Sequence, residues 1–231
     1  MQHLLLLHGA LGAAPMLEPL KQALQANYQV HTLNFSGHGG LELSASFTMD
    51  VFAADIKRLL DEKKIDQVSI FGYSMGGYAA LYFALQHPTR VKRIYTLATK
   101  FAWSPATAEK ETKLLNPEKI EEKVPKFAAT LAQRHAPQNW KDIMHRTARM
   151  MMQLGQQPPL TPENLASITI PVQVSVGDQD TMVSVEETRW AFTHLPQANL
   201  QVLPATKHPL ETIPKQRLAY EVTQFLGPQT V

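Results

Sequence analysis

The chain contains no cysteine. Disulfides, thiolate nucleophiles and cysteine-based metal sites are excluded, and a reducing compartment such as the cytoplasm is the expected location. An excess of either charge is lacking too: 22 basic and 20 acidic residues leave a net charge of +2 over 231 residues. That balance carries no footprint for nucleic acid and predicts no membrane-surface binding. Long apolar runs are missing as well. The opening "MQHLLLLHGALG" places four leucines between two histidines. It is too short for a membrane span and lacks the basic flank of a targeting segment, so it reads as a buried strand. No internal repeat and no low-complexity tract is found.

What is present has a globular balance, with 44% hydrophobic and 18% charged residues. The length suits one α/β domain with an insertion, or two small domains. Short apolar runs occur at Leu4–Leu7, Val30–Phe35, Val68–Phe71, Ile94–Ala98, Val172–Val176 and Leu200–Leu203. Helical patterns lie between them, at about Met16–Ala26, Met49–Lys63, Met75–His87, Val185–His194 and Lys215–Leu226. This alternation predicts a mostly parallel sheet of about six strands flanked by helices. One interval breaks it. Residues 104–165 contain no strand-like run, carry helix formers, and are punctuated by Pro105, Pro117, Pro125, Pro137, Pro158, Pro159 and Pro162. Three or four helices are expected there, inserted between the fourth and fifth strands. The core then comprises residues 1–103 and 166–231.

The third run ends in "FGYSMGGYAAL". A Gly-x-Ser-x-Gly sequence between a strand and a helix fits a turn that holds its serine, Ser74, at the carboxyl edge of the sheet. Gly72 and Gly76 leave room where a Cβ would strike a neighbouring element. Met75 opens the helix, so its N–H is free to stabilise an oxyanion. A serine nucleophile needs a base, and the base needs an orienting acid. His208, in "LPATKHPLE", follows the sixth strand at the same edge. His3, His31, His87, His135, His145 and His194 lie within or at the ends of predicted elements and read as surface or packing residues. His8 and His38 share the edge but sit early, among glycines. The acid should follow the fifth strand, where "VGDQDTMV" offers Asp178 and Asp180. Asp180, third after Gly177, is placed to turn back toward His208, and Asp178 to cap the turn.

The order Ser74, Asp180, His208 is that of the α/β-hydrolases. The chain resembles a small, capped, single-domain member of that superfamily over nearly its whole length. The resemblance rests on "LLLLHGALG", "NFSGHGG", "FGYSMGG", "VSVGDQD" and "ATKHPLE". It implies strands matching the third to eighth of the family's eight, and a helical cap in residues 104–165. It puts Ala10 in the oxyanion hole with Met75, with Leu11 as the fallback, and makes His8 a loop-shaping residue. Asn34 and Gly40 depart from the family's usual Asp and Ser.

The activity implied is that of a serine hydrolase acting on a small-molecule carboxylic ester or thioester through an acyl-serine, with no metal or organic cofactor. The cap is expected to set preference without supplying chemistry. Trp140, Arg149 and Met151 are its candidate substrate contacts. Phe101, Trp103, Phe127 and Met150–Met152 offer an apolar pocket, and Lys100, Arg134, Arg146 and Arg149 a basic one. The fold also admits carbon–carbon bond hydrolysis, a menaquinone-pathway-type lyase reaction, or a receptor-like module with vestigial hydrolysis.

Overall fold

Among the described residues, six strands form one parallel sheet: β1 (Gln2–Leu7), β2 (Tyr28–Thr32), β3 (Val68–Tyr73), β4 (Val91–Leu97), β5 (Val172–Gly177) and β6 (Ala198–Leu203). Their spatial order is β2-β1-β3-β4-β5-β6. The computed structural model describes residues 1–43 and 46–227. Residues 44–45 and 228–231, assigned to the core from the sequence, lie outside the described residues.

The leucine run of β1 has a two-sided explanation. Successive side chains of a strand point to opposite faces, so a strand covered on both faces reads as continuously apolar. Leu4 and Leu6 pack into the cluster that holds Leu20 and Leu24 of α1 (Glu18–Leu24) and Leu218 and Val222 of α10 (Lys215–Leu226). Leu5 and Leu7 join the opposite cluster, with Phe52 and Ile56 of α2 (Met49–Glu62) and Ala79 and Leu81 of α3 (Met75–Gln86). Truncating any one to alanine removes about 2–5 kcal/mol of stability. On that second face, α9 (Val185–His194) packs on β5 and β6, started by a Ser184–Glu187 capping box.

The sheet edges are where the apolar runs misplace the boundaries. Strand β2 runs from Tyr28 to Thr32 rather than over 30–35, because its pairing with β1 ends at Leu6–Thr32. The chain then leaves the sheet, and the N–H of Phe35 donates to His8 Nε2. Strand β6 begins at Ala198, ahead of the run at Leu200, and as an edge it keeps Val202 40% exposed. The first helical stretch is a 3-10 turn over Ala14–Leu17 followed by α1, and ends at Leu24.

Between β4 and β5 lie five helices among the described residues: α4 (Pro105–Thr112), α5 (Pro117–Lys123), α6 (Pro125–His135), α7 (Trp140–Gln156) and α8 (Pro162–Ala166). The sequence pattern suggested three or four. Prolines account for the difference: α4, α5, α6 and α8 each carry one in the first turn. Proline there loses no hydrogen bond and has its φ pre-set, so it starts helices rather than breaking one.

The chain runs outward from β1 to β2, then returns to place β3 on the other side of β1. Strand order therefore reverses between β1 and β3, and a crevice opens at their carboxyl ends. Three buried histidines tie the loops around it. His8 accepts from the Phe35 N–H through Nε2, so its Nδ1–H donates to the Gly9 carbonyl. His135 of α6 accepts from the Gly39 N–H through Nδ1, so its Nε2–H donates to the Leu11 carbonyl. His38 lies between them, with ring centroids 5.2 Å from His8 and 5.7 Å from His135.

Burial lowers the pKa of all three, that of His8 to about 4 and that of His38 well below its ordinary value. In the unfolded chain each takes up a proton near pH 6.5. Between about pH 6.5 and 4 the unfolded state therefore binds more protons, and stability falls with pH. His8 alone contributes a loss on the order of 3 kcal/mol across that window. Urea midpoints measured at pH 7.5, 6 and 5 are expected to drop steadily at constant m-value. A midpoint unchanged down to pH 5 would contradict the neutral, buried state of the cluster.

Candidate active site

Ser74 joins β3 to α3 with φ 52° and ψ −119°, a conformation L-residues rarely adopt. Its N–H donates to the Leu97 carbonyl at 2.8 Å, and its carbonyl accepts from Thr99 Oγ1 at 3.0 Å. The flanking glycines explain why the chain can come so close. A Cβ on Gly72 would lie 2.5 Å from Gly77 Cα, and one on Gly76 would lie 2.6 Å from the Leu7 carbonyl oxygen. Ser74 is half-buried beside Met75, whose N–H precedes the first intrahelical bond of α3.

Asp180 lies beyond β5 with its side chain fully buried. Its Oδ2 accepts from His208 Nδ1 at 2.8 Å, and its Oδ1 accepts from the N–H groups of Met182 and Val183, each at 2.8 Å. Burial pushes its pKa up. The hydrogen bond from His208, the Val183 N–H, the charge of His208 and the Met182 N–H outweigh it and hold the carboxyl below the ordinary value. An ionised Asp180 makes Nδ1 the protonated nitrogen of His208 and leaves Nε2 as an acceptor. Asp178 has a different role. Its Oδ1 accepts from the Thr206 N–H at 3.1 Å, fixing the loop that carries His208. Tyr73, unremarked in the sequence, adds a second support by donating its hydroxyl to the His208 carbonyl at 3.0 Å.

The loop after β1 closes the crevice from the other side. The Gly12 N–H returns to the Gly9 carbonyl, and Leu11 has φ 57°. A Cβ on Gly9 would lie 3.1 Å from Ser74 Cβ, which fixes how near this loop comes to the serine. Asn34 Oδ1 accepts from the Ala14 N–H at 2.6 Å, while its Nδ2 donates to the Gly39 carbonyl. A carboxylate in place of this amide has no donor for Gly39. Helix α6 adds two donors on one acceptor: Arg134 Nη1 at 2.8 Å and His135 Nε2 at 3.1 Å both meet the Leu11 carbonyl. Arg134 and His135, read from the sequence as a substrate contact and a packing residue, are joined in this role.

Ser74, His208, Ala10 and Met75 line one cavity of about 60 Å³. Its other walls include Trp103, Tyr78, Leu154 and Met182. Five of the nine methionines line it: Met49, Met75, Met150, Met151 and Met182. Of the three proposed substrate contacts, Met151 is among them. Trp140 and Arg149 are not: Trp140 is buried in the core cluster, on the stripe of α7 with Ile143 and Met144, and Arg149 is exposed. Phe101 is likewise core, and Phe127 and Met152 are exposed. Lys100 lines the cavity already paired, 3.3 Å from Glu111 and 3.7 Å from Glu187. Met49, at the start of α2, and the Met182–Val183 pair after Asp180 were missed, since nothing local marks a residue as facing a cavity rather than the core.

The sequence profile of the alpha/beta hydrolase fold matches residues 2–154. Over 91 residues the chain is 31% identical to a probable alcohol acetyltransferase of Wickerhamomyces anomalus, covering 38% of this chain and 27% of that protein. Over 102 residues it is 28% identical to a pimeloyl-[acyl-carrier protein] methyl ester esterase of Salmonella paratyphi A, covering 44% of this chain and 38% of that protein. The matched segments thus span between about a quarter and two fifths of these curated relatives. In structure the chain is similar to a thermophilic esterase of Thermogutta terrifontis, with a TM-score of 0.76 at 21% identity, covering 98% of this chain and 89% of that one. That likeness is one of fold.

The contact at Gly76 is with backbone, so no side-chain rotation relieves it. Gly76→Ala is expected to lower stability by about 1–3 kcal/mol, in the range of other overpacked sites. Urea unfolding measures it. Wild-type stability in that variant would show that the β1 loop does not press on α3.

Proposed function

The chain belongs to the α/β-hydrolase family, and we propose that it is a serine hydrolase that cleaves a carboxylic ester or thioester through an acyl-serine. One observation carries this reading: Ser74, held at φ 52°, and His208, held 2.8 Å from Asp180, open into the same cavity.

Ser74 Oγ attacks the carbonyl carbon and His208 Nε2 takes its proton. Asp180 keeps the proton of His208 on Nδ1 and balances the imidazolium that forms. The N–H groups of Ala10 and Met75 receive the oxyanion, a contribution of about 3 kcal/mol for each donor. His208 then protonates the leaving alcohol or thiol. Water, activated by His208, cleaves the acyl-serine, and the proton returns to Ser74.

Residues 104–165 act as the cap. Their role is wider than selectivity. The Leu11 carbonyl held by Arg134 and His135 belongs to the Leu11–Gly12 peptide, two units along from the Gly9–Ala10 peptide that carries the Ala10 N–H, so α6 holds the loop that presents this donor. The cavity's charges favour an uncharged substrate. Lys100 is engaged by two carboxylates and has no charge left for a substrate carboxylate, which disfavours the lyase reading. Relatives whose names denote an esterase and an acetyltransferase support an acyl-enzyme, with water as the acceptor here. No helix among the described residues is long and apolar enough to cross a membrane, and the cytoplasm is the proposed location.

A fluorophosphonate probe is expected to label Ser74, and Ser74→Ala to abolish turnover of p-nitrophenyl esters. Robust hydrolysis by the purified variant would overturn the assignment. Asp180→Asn should lower kcat about 10⁴-fold, as loss of the orienting acid does elsewhere. Asp178→Asn should have a far smaller effect, and the reverse ranking would exchange the two roles.

The oxyanion loop has its own test. His135→Ala should lower kcat by about 10²-fold, the scale of a misplacement near 1 Å, with little change in KM. His135→Gln keeps one acceptor and one donor and should recover most of it. A change in KM alone would mean that α6 acts on binding and not on the loop.

A further inference from the structure

A second opening adjoins the active-site cavity. It is an open groove of about 300 Å³, lined by Thr48, Asp50, Tyr82, Gln153, Gln157 and Pro159 together with Met49, Met150 and Leu154. The last three side chains also line the cavity that holds Ser74 and His208. They are only 4%, 3% and 6% exposed, so they stand as a thin partition with the catalytic space on one side and the groove on the other. The partition is made by two elements. Met49 begins α2 of the core, while Met150 and Leu154 sit one turn apart on α7 of the cap.

Size gives the partition its meaning. The cavity at Ser74, about 60 Å³, is well below the roughly 300–1,000 Å³ of pockets that enclose a drug-sized ligand. That room suits a short acyl group. A longer chain attached to Ser74 has to continue elsewhere, and the groove lies directly behind Met49, Met150 and Leu154. Two of these three are methionines, unbranched and with three rotatable bonds, which repack around an inserted chain at low cost. The two sides also differ in chemistry. Apart from the catalytic side chains and the paired Lys100 and Glu111, the cavity side is walled by methionine, leucine and aromatic carbon. The groove side presents hydroxyl, amide and carboxylate groups, and its Tyr82 donates to Asp50 at 2.6 Å.

We propose that Met49, Met150 and Leu154 form a septum crossed by the acyl chain of the substrate, whose far end emerges in the polar groove between α2 and α7. The substrate class is then an ester or thioester of a medium or long acyl chain, apolar next to the carbonyl and tolerant of a polar group at its distal end. This rests on the acyl-serine reading above.

The test uses the full chain and p-nitrophenyl esters from acetate to decanoate. Wild type should gain kcat/KM past the length that fills the cavity, by up to about fourfold for each methylene newly buried. Gln153→Trp and Gln157→Trp alter exposed residues that line only the groove. Each should lower kcat/KM for decanoate at least fivefold and leave acetate unchanged. Leu154→Ala widens the septum and should raise the decanoate-to-acetate ratio. A decyl fluorophosphonate with a terminal diazirine, bound to Ser74 and irradiated, should crosslink to Gln153 or Gln157. Crosslinks confined to Trp103, Met151 or Met182, or a decanoate-to-acetate ratio that ignores both tryptophan variants, would overturn the septum. Neither result would touch the acyl-serine reading, because acetate turnover and phosphonylation of Ser74 would persist. Loss of both in wild type would sink that reading instead.

Discussion

The left-handed backbone of Ser74 is the constraint on which the rest of the site depends. A non-glycine residue in such a conformation costs on the order of 1–3 kcal/mol and persists only where its surroundings over-determine it. Here they do so from several directions. Leu97 and Thr99, at the end of β4, take up the backbone N–H and carbonyl of Ser74. Helix α3, which pulls the chain away from the sheet, is buried along nearly its whole length. Gly76 lies so close to the carbonyls of Leu7 and His8 that the end of β1 cannot move independently of the serine turn. The position of the β1 loop is thus a consequence of the turn, and the loops that surround it follow in order.

Polar accounting carries that order outward. An imidazole buried among loops has two nitrogens to satisfy, and a backbone N–H donating to one dictates the proton on the other. His8 thereby connects the β1 loop to Phe35, and His135 connects the glycine loop at Gly39 to the Leu11 carbonyl. The inserted helices reach the sheet through these bonds as well as through apolar packing. The insertion is thereby tied to the loop after β1, which lies against Ser74 at Gly9. His38 is the exception in the cluster: its Nε2 is buried with no partner among the described residues, and its ring stacks on Phe47 with centroids 5.1 Å apart.

Much of this was legible in the sequence, for local reasons. Strands covered on two faces are mostly apolar, so β1 and β3 declare themselves, while β5 shows through Val172, Val174 and Val176 alternating with the buried Gln173 and Ser175. A strained turn needs glycine at fixed offsets, so Ser74 does too. Asp180 was legible because the turn after β5 is short, and a carboxylate three residues past Gly177 has few directions available. The sheet edges were less clear, since β6 alternates and β2 ends where its partner ends. The inserted helices were least legible. Helix α7 shows an apolar stripe, but periodicity gives only the phase of a helix, not what lies opposite. Trp140 and Met150 share that stripe, yet one faces packed side chains and the other a cavity. Met49 and Met182 come from elements far away in the chain, and only the folded topology brings them to the same wall.

The distribution of charge around the cavity completes the physical picture. Its ionic groups are spent on structure. Asp180 serves His208 and the turn at Met182–Val183, and Glu187 accepts from the N–H groups of Phe101 and Ala102 while capping α9. Lys100 is held between Glu111 and Glu187. A buried charge that is already paired gains little from a second partner and loses much if the first is displaced. Discrimination among substrates therefore falls to the remaining walls, which are methionine, leucine and aromatic surface. Such walls distinguish ligands by length and shape, at a modest increment per methylene, rather than by formal charge. Under the acyl-serine reading proposed above, such a site is strict about where the carbonyl sits, because the serine turn and the loop beside it are held by close backbone contacts. It is permissive about what trails behind the carbonyl, because methionine-rich surfaces can repack.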